Sequence, residues 1–541
     1  MTPPLIDRWS RGWRGPLLAA LIALAAALPG LILLPATDRG ETRLAQASAQ
    51  MLEDGDFTAV SVDDQASDRR PAGLHWIQAA AVALVSNAEA RQIWAYRLPA
   101  LAGAMLAAAA CAWGGAALFG AAEGLLAGAM LGAGMLLSTA GAVDAPAALM
   151  CAGVTLAVSA LGRLYLAATD LGKSGRTTRV LLWLGMALAA LAGGPVGPIA
   201  VILTGATLWG LDRRAPWLRS LGWSWGLILL VALVGPSLVT GIINASDGSA
   251  PVWPWTLSGS RTPGFHLLIS PLLTFPFALL LPAALALAWR GRREPAIKLT
   301  LCWLIPSWIV LEFGRGQPTA GGLILYGGLA WLMAAAFMRG AGRAAIGVGA
   351  ALQGLAGALW IAAALYAAIR FGAGSALAWS VLAAVLLGGA SLASGALILT
   401  GRPWKALAAA GALGLIAHGV ILAGTGPRLE ALWVSQRAAA ALTKAGLDPR
   451  AGVTPGPVAV VGYGEPSLTF ALGGLTEALE PQDAPAAIGE GRPALVEARQ
   501  QPAFLAALAT AHRQARAIGE IEGFDYAKAK PVRLIVYAAG A

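Results

Sequence analysis

The chain has 541 residues, of which 57% are hydrophobic and only 12% charged, with a formal net charge of +10. Soluble globular domains carry roughly 25% charged residues, so this composition excludes an ordinary soluble globule and indicates a polytopic α-helical membrane protein. The surplus of Lys and Arg reads as topology and attraction to anionic headgroups, so membrane lipids are expected partners and nucleic acid is not.

Apolar runs near the ~20 residues that a bilayer requires recur along the chain, and run length and breaks predict about thirteen spans. They lie near 16–35, 97–118, 122–141, 145–167, 179–193, 195–211, 221–241, 266–289, 298–313, 321–338, 345–369, 376–400 and 405–425. The fifth and sixth are short, and read either as two spans or as one kinked at Gly193-Gly194-Pro195. Arg8, Arg11 and Arg14 precede the first span, but no Ala-x-Ala-like cleavage site follows it, so it is expected to be retained. With the N-terminus cytoplasmic, the clusters Arg163/Lys173/Arg176/Arg179, Arg213/Arg214/Arg219, Arg290/Arg292/Arg293/Lys298, Arg339/Arg343 and Arg402/Lys405 all fall inside. The first large loop and the C-terminal region are therefore expected on the outer face of the membrane.

Residues 36–96 form that loop, rich in acids from Asp38 and Glu41 through Glu53, Asp54, Asp56, Asp63, Asp64 and Asp68. Two interfacial helices are predicted, Glu41–Leu52 and Ala72–Val85, the second anchored by Trp76 at headgroup level. Asp38 and Glu41 either complement the first helix dipole or form the floor of an active site. Asp144, at an outer span start, is a helix cap or a site residue. Glu312 and Arg315 read as a local pair, and Gly132-Ala133-Gly134 as close helix packing. Cys111, Cys151 and Cys302 lie in predicted spans, and His75, His266, His418 and His512 are scattered, so no metal site is expected.

After residue 427 the pattern changes. An amphipathic helix (Arg428–Ala445), a buried strand (Val458–Tyr463), a helix (Phe504–Ala517) and a closing strand (Val532–Tyr537) predict a small α/β domain over 428–541. Gly462-Tyr463-Gly464-Glu465-Pro466-Ser467 lacks the Gly, Lys and Thr of a phosphate loop and reads as an ordinary turn.

Four segments carry a resemblance. They are Asp38-Arg39-Gly40-Glu41-Thr42-Arg43 with Met51-Leu52-Glu53-Asp54-Gly55-Asp56-Phe57, Arg70-Pro71-Ala72-Gly73-Leu74-His75-Trp76, Ala142-Val143-Asp144-Ala145, and Gly462 to Phe470. Together the chain resembles the GT-C glycosyltransferases, most closely the bacterial aminoarabinose-transferase and protein-O-mannosyltransferase branch. The resemblance implies location in a bacterial inner (cytoplasmic) membrane with the first large loop and the C-terminal domain periplasmic, a GT-C transmembrane domain over 1–427 and a polyprenyl-phosphate sugar donor. The acceptor would lie on the periplasmic face, as lipid A, a glycan or a protein. It also implies catalytic roles for Asp38, Glu41 and Asp144, and lipid-phosphate contacts from Arg70, Arg69 and Arg43.

The departures fall on the chemically active face. Gly40 stands where the family carries the aspartate expected to be the general base, and such a base contributes about 10²–10⁴ in rate. Gly193-Gly194-Pro195 replaces a Lys-Gly-Pro pattern, and Gly316-Gln317-Pro318-Thr319-Ala320-Gly321 replaces a Lys-Leu-Pro-His-Tyr stretch. The loop Ser258–Phe265 is shorter than the family's polar segment. The resemblance with its eroded motifs therefore implies a catalytically impaired descendant, a scaffold or accessory subunit with a membrane-protein partner. The alternative is an active inverting glycosyltransferase using Glu41 or Asp38 as substitute base. A transporter is the weakest reading, because the spans hold almost no mid-membrane ionisable residues.

Overall fold

The computed structural model describes residues 3–58, 60, 71–168, 175–212, 215–244, 264–313, 322–452 and 454–540. Eight described helices are long and apolar enough to cross a bilayer, or nine when the pair Ala121–Ala133 and Met135–Val143, bent by 57°, counts as one span. The other predicted segments fall on shorter or interrupted helices. Segment 266–289, for example, is a helix Phe265–Leu273, a single turn Ala278–Leu280 and a helix Leu281–Arg290.

Small residues set how closely the spans pack. Ala19 and Ala23 of helix Arg14–Leu33 meet Ala108 and Ala112 of helix Ile93–Leu118. A Cβ at Gly132 would sit 3.1 Å from both Ala19 O and Ala23 Cβ, so Gly132-Ala133-Gly134 is packing, as expected. Gly193-Gly194-Pro195 is a reversal rather than a kink. Gly194 adopts φ +64°, and a Cβ at Gly197 would lie 2.6 Å from Ala189 Cβ, which brings helix Val196–Asp212 back along helix Arg176–Gly193. All three cysteines are buried among the spans.

At one end of the bundle Lys298 Nζ lies 2.6 Å from Asp212 Oδ1, and Tyr165 Oη donates to Asp212 Oδ2 at 2.9 Å. Three span ends predicted to share a face therefore do so. The loop helices and the C-terminal domain occupy the opposite end.

The two loop helices are present as Gly40–Asp54 and Gly73–Val85. The first does not simply float in an interface plane. Thr42, Leu44 to Ala49 and Met51 are all buried, because the helix is wedged between the spans and the C-terminal domain. Ala45 and Ala49 join Val82, Ala95, Tyr96 and the domain's Phe470 in one apolar cluster.

The C-terminal domain contains strands β1 (Val458–Val461), β2 (Thr476–Ala478), β3 (Ala494–Glu497), β4 (Ala515–Asp525) and β5 (Lys530–Ala539), in the order β2-β1-β3-β5-β4. β1 is parallel to β2 and β3, while β5 is antiparallel to β3 and β4. Val458 and Val460 face a cluster with Val434, Ala438 and Leu442, whereas Ala459 and Val461 face Ile488, Phe504 and Leu508. Burial on both faces explains why β1 reads as a continuous apolar run. The helix predicted over Phe504–Ala517 is instead Gln501–Thr510; His512 turns into the left-handed region at φ +51° and β4 begins at Ala515. The predicted Arg428–Ala445 helix is likewise shortened to Val434–Lys444, preceded by single turns.

Candidate functional site

The site is built where helix Arg14–Leu33 ends. Its last carbonyls lack intrahelical partners, and Arg97 reaches across from helix Ile93–Leu118 to supply donors. The Arg97 guanidinium donates to Leu31 O at 3.2 Å, Leu34 O at 2.6 Å and Pro35 O at 2.8 Å. A cation at a helix C-terminus is also favoured by the macrodipole. The same guanidinium binds the Glu41 carboxylate, through Nε to Oε1 and through Nη2 to Oε2 at 3.0 Å.

Glu41 Oε2 further accepts from Thr37 N and Thr37 Oγ1, both at 2.8 Å. Both carboxylate oxygens are thus occupied, in a pair whose side chains are 1% and 5% exposed. A carboxylate held this way anchors the loop to the span bundle.

Asp38 points to the C-terminal domain. Its Oδ1 accepts a hydrogen bond from Ser467 Oγ, and its backbone N–H donates to Tyr526 Oη. Ser467 Oγ lies 2.6 Å from Ser435 Oγ, which is 3.0 Å from Tyr463 Oη. Asp38 Oδ2 has no hydrogen bond among the described residues. Burial pushes the Asp38 carboxyl up to about 6; Glu465 and Asp525 add to the rise, while Ser467 and Arg39 oppose it. Neither acid caps the Gly40–Asp54 helix with its side chain.

Arg39, in the left-handed region at φ +59°, carries Nε and Nη2 to Glu465 Oε2 and Oε1 at 3.2 and 3.3 Å. Glu465 is fully buried and also pairs with Lys528 at 2.6 Å, and Lys528 reaches Asp525 at 3.3 Å. Nearby, Arg91 grips Glu53 at 2.8 and 2.7 Å and Gln46 at 2.9 Å, and stands 5.7 Å from the Phe470 ring centroid.

Asp144 caps helix Ala145–Ala168 by accepting from Ala147 N at 3.1 Å. Burial raises its carboxyl above the usual range, and the neighbouring Glu41 charge adds to that. Asp38, Glu41 and Asp144 therefore gather at one end of the bundle. Arg43 is exposed, without a partner among the described residues. Arg69, Arg70, Arg315 and the replaced stretches 258–263 and 316–321 lie outside the described residues.

A Cβ at Gly40 would meet nothing within 4 Å, so the position of the expected base faces open space. A side chain at Gly193, where the family pattern carries a lysine, would meet Met150 Sδ at 2.3 Å. Sequence reasoning missed Arg97, Tyr526 and Lys528, and read Arg39, Glu465 and Ser467 only as parts of longer motifs. Of the three missed, Arg97, a charge at the mouth of an apolar span, carried a signal that could have flagged it.

No protein-family model and no curated protein matches the chain. Its fold does match solved structures. Against the apo crystal structure of ArnT from Cupriavidus metallidurans the TM-score is 0.76 at 17% identity, over 97% of this chain and 98% of that one. Against the same protein bound to undecaprenyl phosphate the TM-score is 0.74, with the same identity and coverage. The likeness spans membrane and C-terminal regions together, and it shows that the chain has the GT-C fold.

Proposed function

We propose that this chain is a GT-C membrane protein that has lost acceptor activation and serves as a scaffold or accessory subunit of a bacterial inner-membrane assembly. The observation that carries the reading is the commitment of Glu41 to Arg97 and Thr37, directly after a glycine that faces open space. In this reading residue 40 is the general-base position, left empty by its glycine, and the adjacent acid serves structure. In this reading a polyprenyl-phosphate lipid still docks by its phosphate, with Arg43, Arg69 and Arg70 as the cations. The ArnT structure bound to undecaprenyl phosphate supports that ligand class for this fold. The N-terminus is cytoplasmic and residues 428–541 form a periplasmic domain.

The test is purification in mild detergent followed by incubation with polyprenyl-phosphate sugars. A stoichiometric membrane-protein partner and no consumption of the carrier are expected. Turnover by the purified chain would overturn the proposal.

One observation favours a second reading. Asp38 keeps Oδ2 unbonded and has its carboxyl raised to about 6, close to what a general base needs. If Asp38 is a substitute base, Asp38→Asn abolishes transfer while Glu41→Gln lowers stability first.

A further inference from the structure

Three carboxylates and two cations converge where the first loop meets the C-terminal domain. Asp38 and Arg39 come from the loop, and Glu465, Asp525 and Lys528 from the domain. Arg39 and Lys528 both bind Glu465, and Lys528 also pairs with Asp525. Asp38 itself has only neutral hydrogen-bond partners: its carboxylate accepts from Ser467 Oγ, and its backbone N–H donates to Tyr526 Oη. The remaining charged neighbour, Glu41, is matched by Arg97 from the span beneath. Tyr463, linked through Ser435 and Ser467, is neutral, since burial raises its hydroxyl far above ordinary tyrosine.

A second set of observations lies along the same contact. Thr42 Oγ1, Gln46 Nε2 and Gln50 Oε1 on helix Gly40–Asp54, with Arg91 Nε and Tyr96 Oη, are buried polar atoms without hydrogen bonds. Phe470 of the C-terminal domain covers this seam, with its ring centroid 5.3 Å from that of Tyr96. The contact is thus apolar at Phe470 and polar around it.

We infer that the loop and the C-terminal domain form a proton-operated latch, closed when Asp38 is protonated and loosened when it ionises beside Glu465 and Asp525. The inference does not depend on whether the protein transfers sugar. Its sign follows from linkage. An acid whose value is raised in the docked state favours docking at low pH, and docking weakens as pH rises from about 4 to about 6, then levels off. The docked value of about 6 against the ordinary 3.8 gives roughly tenfold weaker docking at pH 8 than at pH 5.

Hydrogen exchange of the full-length protein in lipid nanodiscs, read at residues 37–52, 463–470 and 524–530, tests this. Protection in those segments should fall about tenfold from pH 5 to pH 8, after correction for intrinsic exchange, while the spans stay unchanged. Asp38→Asn should hold the pH 5 protection at both values. Asp525→Asn, which removes a charge that raises Asp38, should move the midpoint to lower pH. Equal protection of the wild-type protein at pH 5 and pH 8 would overturn the latch, as would an unchanged pH dependence in Asp38→Asn.

Discussion

Arg97 and Glu41 form a buried ion pair, with side chains 1% and 5% exposed, that ties the first loop to the end of helix Arg14–Leu33. The pair gives the acidic loop a structural clasp on the span bundle. Removing one partner of such a pair leaves a buried charge without compensation, which typically costs about 3–5 kcal/mol. Arg97→Ala should therefore destabilise the protein by about that amount. Glu41→Gln, which keeps one acceptor oxygen but leaves the buried Arg97 charge uncompensated, should also destabilise the protein. Chemical unfolding of the purified variants measures both, and wild-type stability in Arg97→Ala would remove the clasp from the account.

Phe470 is the apolar pin of the domain contact. It is 3% exposed, stacks edge-on to Tyr96, and carries the Arg91 guanidinium over its ring. Phe470→Ala should cost about 3–5 kcal/mol. Limited proteolysis should then release a fragment containing the C-terminal domain sooner than in wild type, while the spans remain intact.

Lys298 and Asp212 close the opposite end of the bundle, 24% and 17% exposed. Lys298→Met strands Asp212, and a partly buried pair loses less than a fully buried one, so about 1–2 kcal/mol is expected. A thermal melt in detergent should show a drop of a few degrees, with no change in the pH response of the loop.

Much of the fold was legible because bilayer thickness fixes the length of an apolar run, and burial on both faces fixes the apolar β1. The interrupted helices of 266–290 and the early end at Thr510 were not, since Ala- and Leu-rich stretches carry no local mark of a break that tertiary packing imposes. In the site, Asp38, Glu41 and Asp144 stood out as charges in an apolar chain. Their partners did not, because Arg97 lies 56 residues from Glu41, and Ser467 lies 429 residues from Asp38. A hydroxyl in the turn after a strand gives no hint that its acceptor is in another domain.

Gly40 offers the most economical substitution. It occupies the first turn of helix Gly40–Asp54, its Cβ direction is open, and its φ is not in the left-handed region. Gly40→Asp should therefore fold at least as well as wild type. Replacing a helical glycine and adding an acid to the first turn should contribute about 0.5–1 kcal/mol.

The central claim, that acceptor activation is lost at residue 40, is tested most directly by carrier turnover. The purified wild-type protein and Gly40→Asp would be assayed side by side with a polyprenyl-phosphate sugar and membrane acceptors. The account predicts no release of free polyprenyl phosphate by wild type, and release above background only once the aspartate is present. Turnover by the wild-type chain would contradict it.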